Sequence, residues 1–422
     1  MGTDQSLLTR DRKTTSSFIL TISAILVLAV SCKTVIERQD VRPRILRDVP
    51  AQNLAYRFDP DVSPPADLKS DDASDKSAAV QNDFNTKQRQ NDALLRTVES
   101  PDGRRVLALY GTADEPSSAF RIDLYNSEGQ FLRNVIPPTI SCVFPETVTW
   151  SPDGSLINFI AHKRALPSPS PTPIEDTLPE TGGSPVPSPS VAPAFAPVAS
   201  FDTEQIYIAN RDGYDLKPLT SREGLIYFYF AWAPDGHAMV ALACKEDEWN
   251  ARERQYRSPA GRPRLIQPDG TERLLDDGLT DALPVWSPDS SKVATAFDTD
   301  VAIYDAVNNK PTQARLPLGD RLLSASVTYE EKTVIKKAEP SKNPTQNTTK
   351  NTNSKSATAS PTPTPTQPTT PASFNPIVRV EWPAPERLYF QTAYVRLMPS
   401  EAINTFQRWH LLTLSPQAAV LK

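Results

Sequence analysis

Cysteine, histidine and methionine each occur only three times in this 422-residue chain, and glycine only 14 times. The histidines, His162, His237 and His410, lie far apart and each stands beside a strand or turn, so a metal centre built from them is not expected. No G-x-S-x-G stretch occurs, which argues against a hydrolase built on a nucleophile elbow. The formal net charge is −5 and Lys and Arg do not interleave with aromatics, so nucleic acid is not expected as a partner. No cofactor motif is present either. The one sustained apolar run, 17–31, falls short of the roughly 20 residues that span a bilayer.

What is abundant is proline, 42 residues, and much of it is confined to two tracts. "ALPSPSPTPIEDTLPETGGSPVPSPSVAPAFAPVAS" (165–200) and "TASPTPTPTQPTTP" (358–371) favour extended polyproline II and have no core to join. They are expected to be disordered insertions, 164–200 and 339–376, because lengthening a loop adds little closure entropy. A docking peptide or a glycan-bearing stalk is the functional alternative.

Outside those tracts one arrangement returns. "VTWSPDGSLINFIA" (148–161) is repeated as "FAWAPDGHAMVALA" (230–243) and "PVWSPDSSKVATAF" (284–297). It is degraded in "TVESPDGRRVLALY" (97–110) and "VEWPAPERLYFQTA" (380–393). Proline presets φ for a type I turn, Asp tolerates the next position, and Gly accepts the left-handed conformation after it, which together specify a tight hairpin. The apolar run after the turn suits a strand covered on both faces. Each repeat holds a second hairpin, such as "EQIYIANRDGYDLKPLT" (204–220) or "FRIDLYNSEGQFLRNVI" (120–136). Counted from Glu99, Trp150, Trp232, Trp286 and Trp382, with the proline tracts set aside, the period is about 45–55 residues. Four strands at that period describe a propeller blade.

The pattern W-S-P-D-G…I-x-F…Q-I-Y-I-A-N-x-D-G…L-T across 148–220 resembles the TolB-type β-propeller repeat, and W-[SA]-P-D-[GS] recurs at Trp150, Trp232 and Trp286. The resemblance covers roughly 95–415 without the proline tracts. It implies an all-β propeller of about five to six four-stranded blades but no particular activity. The chain departs from the pattern at Glu99 and at Pro383-Ala384-Pro385. One tryptophan per blade at one register is expected in inter-blade packing rather than in sugar stacking. The aspartates Asp102, Asp153, Asp235 and Asp289 are expected to serve their turns rather than calcium.

The N-terminus carries an address. Arg10, Arg12 and Lys13 precede "SFILTISAILVLAVS" (17–31), and Cys32 follows. Basic residues before a short apolar run read as a secretory signal, and Leu28-Ala29-Val30-Ser31-Cys32 resembles a bacterial lipobox. The expected layout is a lipoprotein-type signal peptide 1–31, a mostly disordered tether 32–92 with a closing strand near 45–59, and the propeller 93–422. Cys32 is the expected lipidation site, which would anchor the exported protein to a membrane. Lys33 after it resembles outer-membrane sorting, on the periplasmic side, if the host has two membranes.

The expected function is that of a non-catalytic binding or scaffold protein in the bacterial cell envelope, with an envelope protein or cell-wall component as partner. The alternative is a sugar-binding protein or enzyme acting through the central funnel. Strand alternation places the second-to-third strand connections and the inter-blade connections on one face. That face should carry the partner surface, with Trp249, Arg252, Arg254 and Tyr256 its ordered part. Cys142 and Cys244 fall toward the same face, and a disulfide between them or two separately buried thiols are both open.

Overall fold

Each Ser-Pro-Asp turn is closed by its own side chains. In 151–156, the Gly154 N–H donates to the Ser151 carbonyl (2.8 Å). The Ser151 hydroxyl donates to Asp153 (2.5 Å), and the Ser155 N–H donates to the same carboxylate oxygen (3.1 Å). The Leu156 N–H then donates back to the Ser151 hydroxyl (2.9 Å). Gly154 sits at φ 69°, where a side chain would be strained. The same bonds recur around Asp102 and Asp289. A local turn closed this way fixes the register of the two strands that leave it.

A computed structural model describes residues 45–66, 68, 76–87, 92–112, 119–164, 198–307, 312–338, 376–394 and 406–416. Residues 1–31, expected to form a signal peptide, Cys32 and nearly all of both proline tracts lie outside these residues. Two short 3-10 turns, Leu46–Asp48 and Ala51–Asn53, lead into strand β1 (Ala55–Val62), and helix α1 (Ala78–Thr86) follows. Blade 1 is β2 (Asp92–Glu99), β3 (Arg105–Thr112), β4 (Phe120–Asn126) and β5 (Phe131–Asn134). Strand β6 (Ile140–Cys142) precedes blade 2, which is β7 (Thr149–Trp150), β8 (Leu156–Lys163), β9 (Gln205–Asn210) and β10 (Lys217–Pro218). Blade 3 comprises β11 (Leu225–Trp232), β12 (Met239–Lys245), then helix α2 (Glu246–Arg254), β13 (Arg262–Ile266) and β14 (Glu272–Leu274). Blade 4 is β15 (Val285–Trp286), β16 (Lys292–Phe297), β17 (Asp300–Asp305) and β18 (Gln313–Pro317), followed by helix α3 (Gly319–Ala338). Blade 5 contains β19 (Ile377–Ala384), β20 (Arg387–Tyr394) and β21 (Phe406–Ser415).

Every pairing within these blades is antiparallel, and the described residues form five four-stranded blades of a β-propeller. The fourth strand of blade 5 is β1, which zips onto β21 from Ala55↔Ser415 to Val62↔Trp409. Joining the first strand to the last blade pairs β21 on both sides and leaves β1 as the outer strand of blade 5. Strand β6 pairs with both β4 and β8, which merges blades 1 and 2 into one nine-stranded sheet. The repeat pattern gave no sign of that strand.

The blades pack through shared apolar clusters. One joins blades 1 and 2 around Leu109, Ile122, Trp150 and Phe159, and another joins blades 3 and 4 around Val240, Trp286, Val293 and Tyr304. The largest joins blades 4 and 5 with Leu46, Val49, Ala51 and Leu54 from the N-terminal segment. The tryptophans also hydrogen-bond to the preceding blade. Trp150 Nε1 donates to the Val98 carbonyl (3.1 Å), Trp286 to the Ala231 carbonyl (3.0 Å), and Trp232 to the Asn158 side chain (3.2 Å). Trp382 is the exception and donates to Pro385 of its own turn (3.2 Å).

Glu99, which replaces tryptophan in blade 1, has a structural reason. Its pairing partner Val106 lies on the face that α1 covers, where Val80 and Phe84 pack on Leu94, Ala108, Tyr110 and Tyr125. The Tyr125 hydroxyl reaches Asp83 of the helix (3.3 Å), and the Ser77 N–H donates to Thr97 (2.7 Å). A helix, not a tryptophan, seals this side. The stretch 63–90, read as tether from its polarity, is therefore partly folded.

Candidate functional site

Inner strands begin at what is here termed the upper face, and the Pro-Asp-Gly turns lie on the lower one. Lower-face turns lean on one another: Arg211 pairs with Asp102 (2.8 Å), Arg105 with Asp212 (3.1 Å), and the Asp235 N–H donates to Ser290 (3.0 Å). The turn aspartates are absorbed in this work. The Ser100 hydroxyl, then the Arg104 backbone N–H, holds the Asp102 carboxyl down to about 2. Among the described residues no three His, Cys, Asp or Glu are grouped to hold a metal.

The upper face carries α2, directly after β12. Acids occupy its first turn (Glu246, Asp247, Glu248) and arginines its last (Arg252, Arg254), as the helix dipole favours. Two anchors hold it. The Trp249 ring packs between Phe144 (5.9 Å between centroids) and Phe228 (5.7 Å). Arg262 of β13 grips both Glu248 oxygens at 2.7 Å, and the Lys245 N–H donates to Glu248 as well (2.9 Å). Those donors, Arg262 foremost, keep the Glu248 carboxyl below the usual range.

Beyond the anchors the helix presents a rim. Arg252 pairs with Asp281 (2.8 Å) and donates to the Ser258 carbonyl, while the Arg254 Nε donates to the Asn250 carbonyl (3.1 Å). Tyr256 is 99% exposed and sits at φ 54°, a conformation that costs a non-glycine residue roughly 1 kcal/mol or more. Arg257, also exposed, ties its N–H back to the Arg252 carbonyl (3.0 Å).

Of the four residues expected to form the partner surface, the structure thus separates two roles. Trp249 and Arg252 are engaged within the protein, because a short polar helix needs an aromatic anchor to stay docked. Arg254 and Tyr256 face solvent. The sequence reading missed Phe144, Phe228, Glu248 and Arg262, which fix the helix; Glu248 four residues from Arg252 was a surface-pair signal, not a sign of the clamp to β13.

No disulfide joins Cys142 and Cys244. Cys142 is buried in the cluster between blades 1 and 2, and Cys244 in a separate cluster with Ile226, Phe228 and Leu242. Burial, and next the Glu248 charge, push the Cys244 thiol up to about 12, so it is inert as a thiolate at neutral pH.

The inner strands bring a second set together. The Tyr229 hydroxyl of β11 donates to the Pro284 carbonyl at the start of blade 4 (3.4 Å), and burial, then Glu381 of β19, raises it to about 12. Glu381 is paired with Arg379 (2.8 Å). Three blades thus contribute polar groups here.

The fold and this site define a β-propeller with a clamped helix on the upper face. No family model matches the chain, and no curated protein matches it. Solved structures with some likeness include an oligogalacturonate lyase from Vibrio parahaemolyticus, with a TM-score of 0.33, 10% identity, and coverage of 53% of this chain and 54% of that one. A putative TolB from Agrobacterium tumefaciens gives 0.32 and 11%, with 77% and 90% covered. Prolyl oligopeptidase B from Galerina marginata gives 0.36 and 11%, with 65% and 36% covered. This chain therefore spans about half the lyase and about a third of the oligopeptidase. Likenesses this low carry no inference about activity, and the blade assignment stands on the strand pairing.

Proposed function

We propose that the chain is a non-catalytic, TolB-like propeller of the bacterial cell envelope, lipid-anchored through Cys32, that binds a protein or cell-wall partner on its upper face. The observation that carries this reading is the held exposure of Tyr256. Its helix is clamped from below by Trp249 and the Glu248–Arg262 fork, and the backbone tolerates a left-handed tyrosine to keep the ring in solvent. An aromatic on a hydrogen-bonded backbone, flanked by arginines and with only two side-chain torsions to order on binding, suits a hot spot. Arg254 and Arg257 favour a partner carrying carboxylates.

The test is photo-crosslinking in the native host, with a reactive residue at position 256 or at Tyr214, an exposed tyrosine of the lower face. A product specific to position 256 supports the reading. Equal products at both positions, or none at 256, overturn it.

The Tyr229, Arg379 and Glu381 set favours a second reading, a sugar-binding protein or enzyme using the funnel. It predicts instead that Tyr229→Phe, not Tyr256→Ala, abolishes binding.

A further inference from the structure

The join between the N-terminal strand and the last blade is fastened by an unusual cluster. Asp61 lies at a bulge of β1 and takes the left-handed conformation, φ 53°. Its carboxylate accepts a fork from Arg408 of β21 (2.6 and 2.8 Å). Arg408 also donates to the Ser326 hydroxyl and the Ala325 carbonyl of α3 (both 3.1 Å), and stacks on Tyr329. The Asp61 N–H points at Nδ1 of His410 (3.4 Å), and Nε2 of the same ring meets the Thr392 hydroxyl of β20 (2.9 Å). His410 is 1% exposed and is packed between Phe58 and Phe390.

That geometry fixes the state of the ring. An N–H aimed at Nδ1 requires Nδ1 to be the acceptor, so the proton is on Nε2 and faces Thr392. A second proton would set two N–H groups against each other and place a cation beside Arg408. The charged groups facing the ring are Asp61 from β1 and Arg408 from β21. β20 offers Thr392 and Phe390, and α3 offers Ser326 and Tyr329, both turned to Arg408.

We propose that His410 is an acid-sensitive latch: its protonation frees the Asp61 end of β1 from β21 and loosens the closure of the last blade. Burial, with Arg408 second, pushes the ring down to about 4, while Asp61 pulls the other way. A folded value below the ordinary one means that the open state takes up the proton first. The latch is therefore whole above about pH 6.5 and weakens as pH falls toward 4. At pH 4.5 the opening equilibrium should rise by about 10- to 100-fold. In sequence the freed end leads on to α1, the helix that covers one side of blade 1.

The test is hydrogen exchange on the full chain between pH 7 and 4.5, corrected for intrinsic rates. Protection at Asp59, Asp61 and Val62 should fall by that factor in the wild type, ahead of blades 2–4. His410→Asn, whose amide oxygen can accept the Asp61 N–H, should keep protection flat across this window. A uniform loss over all blades, or the same loss in His410→Asn, would overturn the latch. Should that variant fail to fold, the ring resonances of the wild type decide: a titration midpoint near 6.5 sinks the proposal, and one near 4 upholds it.

Discussion

The Trp150 indole N–H reaches across a blade boundary to the Val98 carbonyl, 3.1 Å away, and Trp286 repeats the bond on Ala231. Val98 and Ala231 each directly precede the tryptophan position of their own blade, Glu99 and Trp232. In blades 2 and 4 the tryptophan is therefore a bolt, one side chain that fills apolar space and satisfies a backbone acceptor on the preceding blade, and in blade 3 Trp232 reaches the Asn158 side chain instead.

Removing the bolt should cost most where it crosses blades. Trp286→Phe keeps an aromatic ring but loses the N–H, and should destabilise by about 1–3 kcal/mol in urea unfolding. Trp382→Phe should cost less on the hydrogen-bond side, because its N–H is spent on Pro385 within its own turn. Equal losses at the two positions would refute the inter-blade role of the bond.

The sequence was legible where structure is local. Ser-Pro-Asp-Gly bonds within six residues, so the hairpins and the tryptophan register could be read directly. Strand β1 showed through the alternation of Leu54, Tyr56 and Phe58. Helix α1 did not, because two apolar residues, Val80 and Phe84, suffice when blade 1 supplies the rest of the buried surface. Trp249 was read as surface because sequence order cannot show that Phe144, over a hundred residues earlier, packs on its ring. Cys142 and Cys244 share a face by strand counting, yet each belongs to its own cluster, which no count of strand directions reveals.

Lys292 and Asp305 form a buried ion pair at 2.9 Å, with side chains 1% and 5% exposed. Asp305 also accepts the Ala51 N–H (3.1 Å), tying the N-terminal segment to blade 4. Asp305→Asn leaves the ammonium uncompensated and should cost about 3–5 kcal/mol, while adding Lys292→Met should recover much of it. A double variant no more stable than Asp305→Asn would show that the charge is not what the acid serves.

If Cys32 carries lipid, Cys32→Ala should move the protein out of the membrane fraction or stall its processing. Fractionation with an antibody to the propeller reads this directly. A variant that stays membrane-bound and is processed normally would refute the anchor.

The insertion 165–197 leaves and rejoins blade 2 at adjacent points. The Lys163 N–H donates to the Phe201 carbonyl (2.7 Å), and the Arg164 N–H donates to Thr139 (3.0 Å), so strands β8 and β9 are already held together where the tract departs. Replacing those residues by about four of Gly and Ser asks for no new geometry. Each halving of loop length relieves roughly 0.6 kcal/mol of closure cost, so the shortened protein should be equally stable or gain up to about 2 kcal/mol. Thermal unfolding compares the two directly, and crosslinking at position 256 reports on binding. A shortened chain that unfolds at lower temperature would mean that the tract supports blade 2. One that keeps its stability and loses the crosslink would place the tract in the partner interface beside Tyr256.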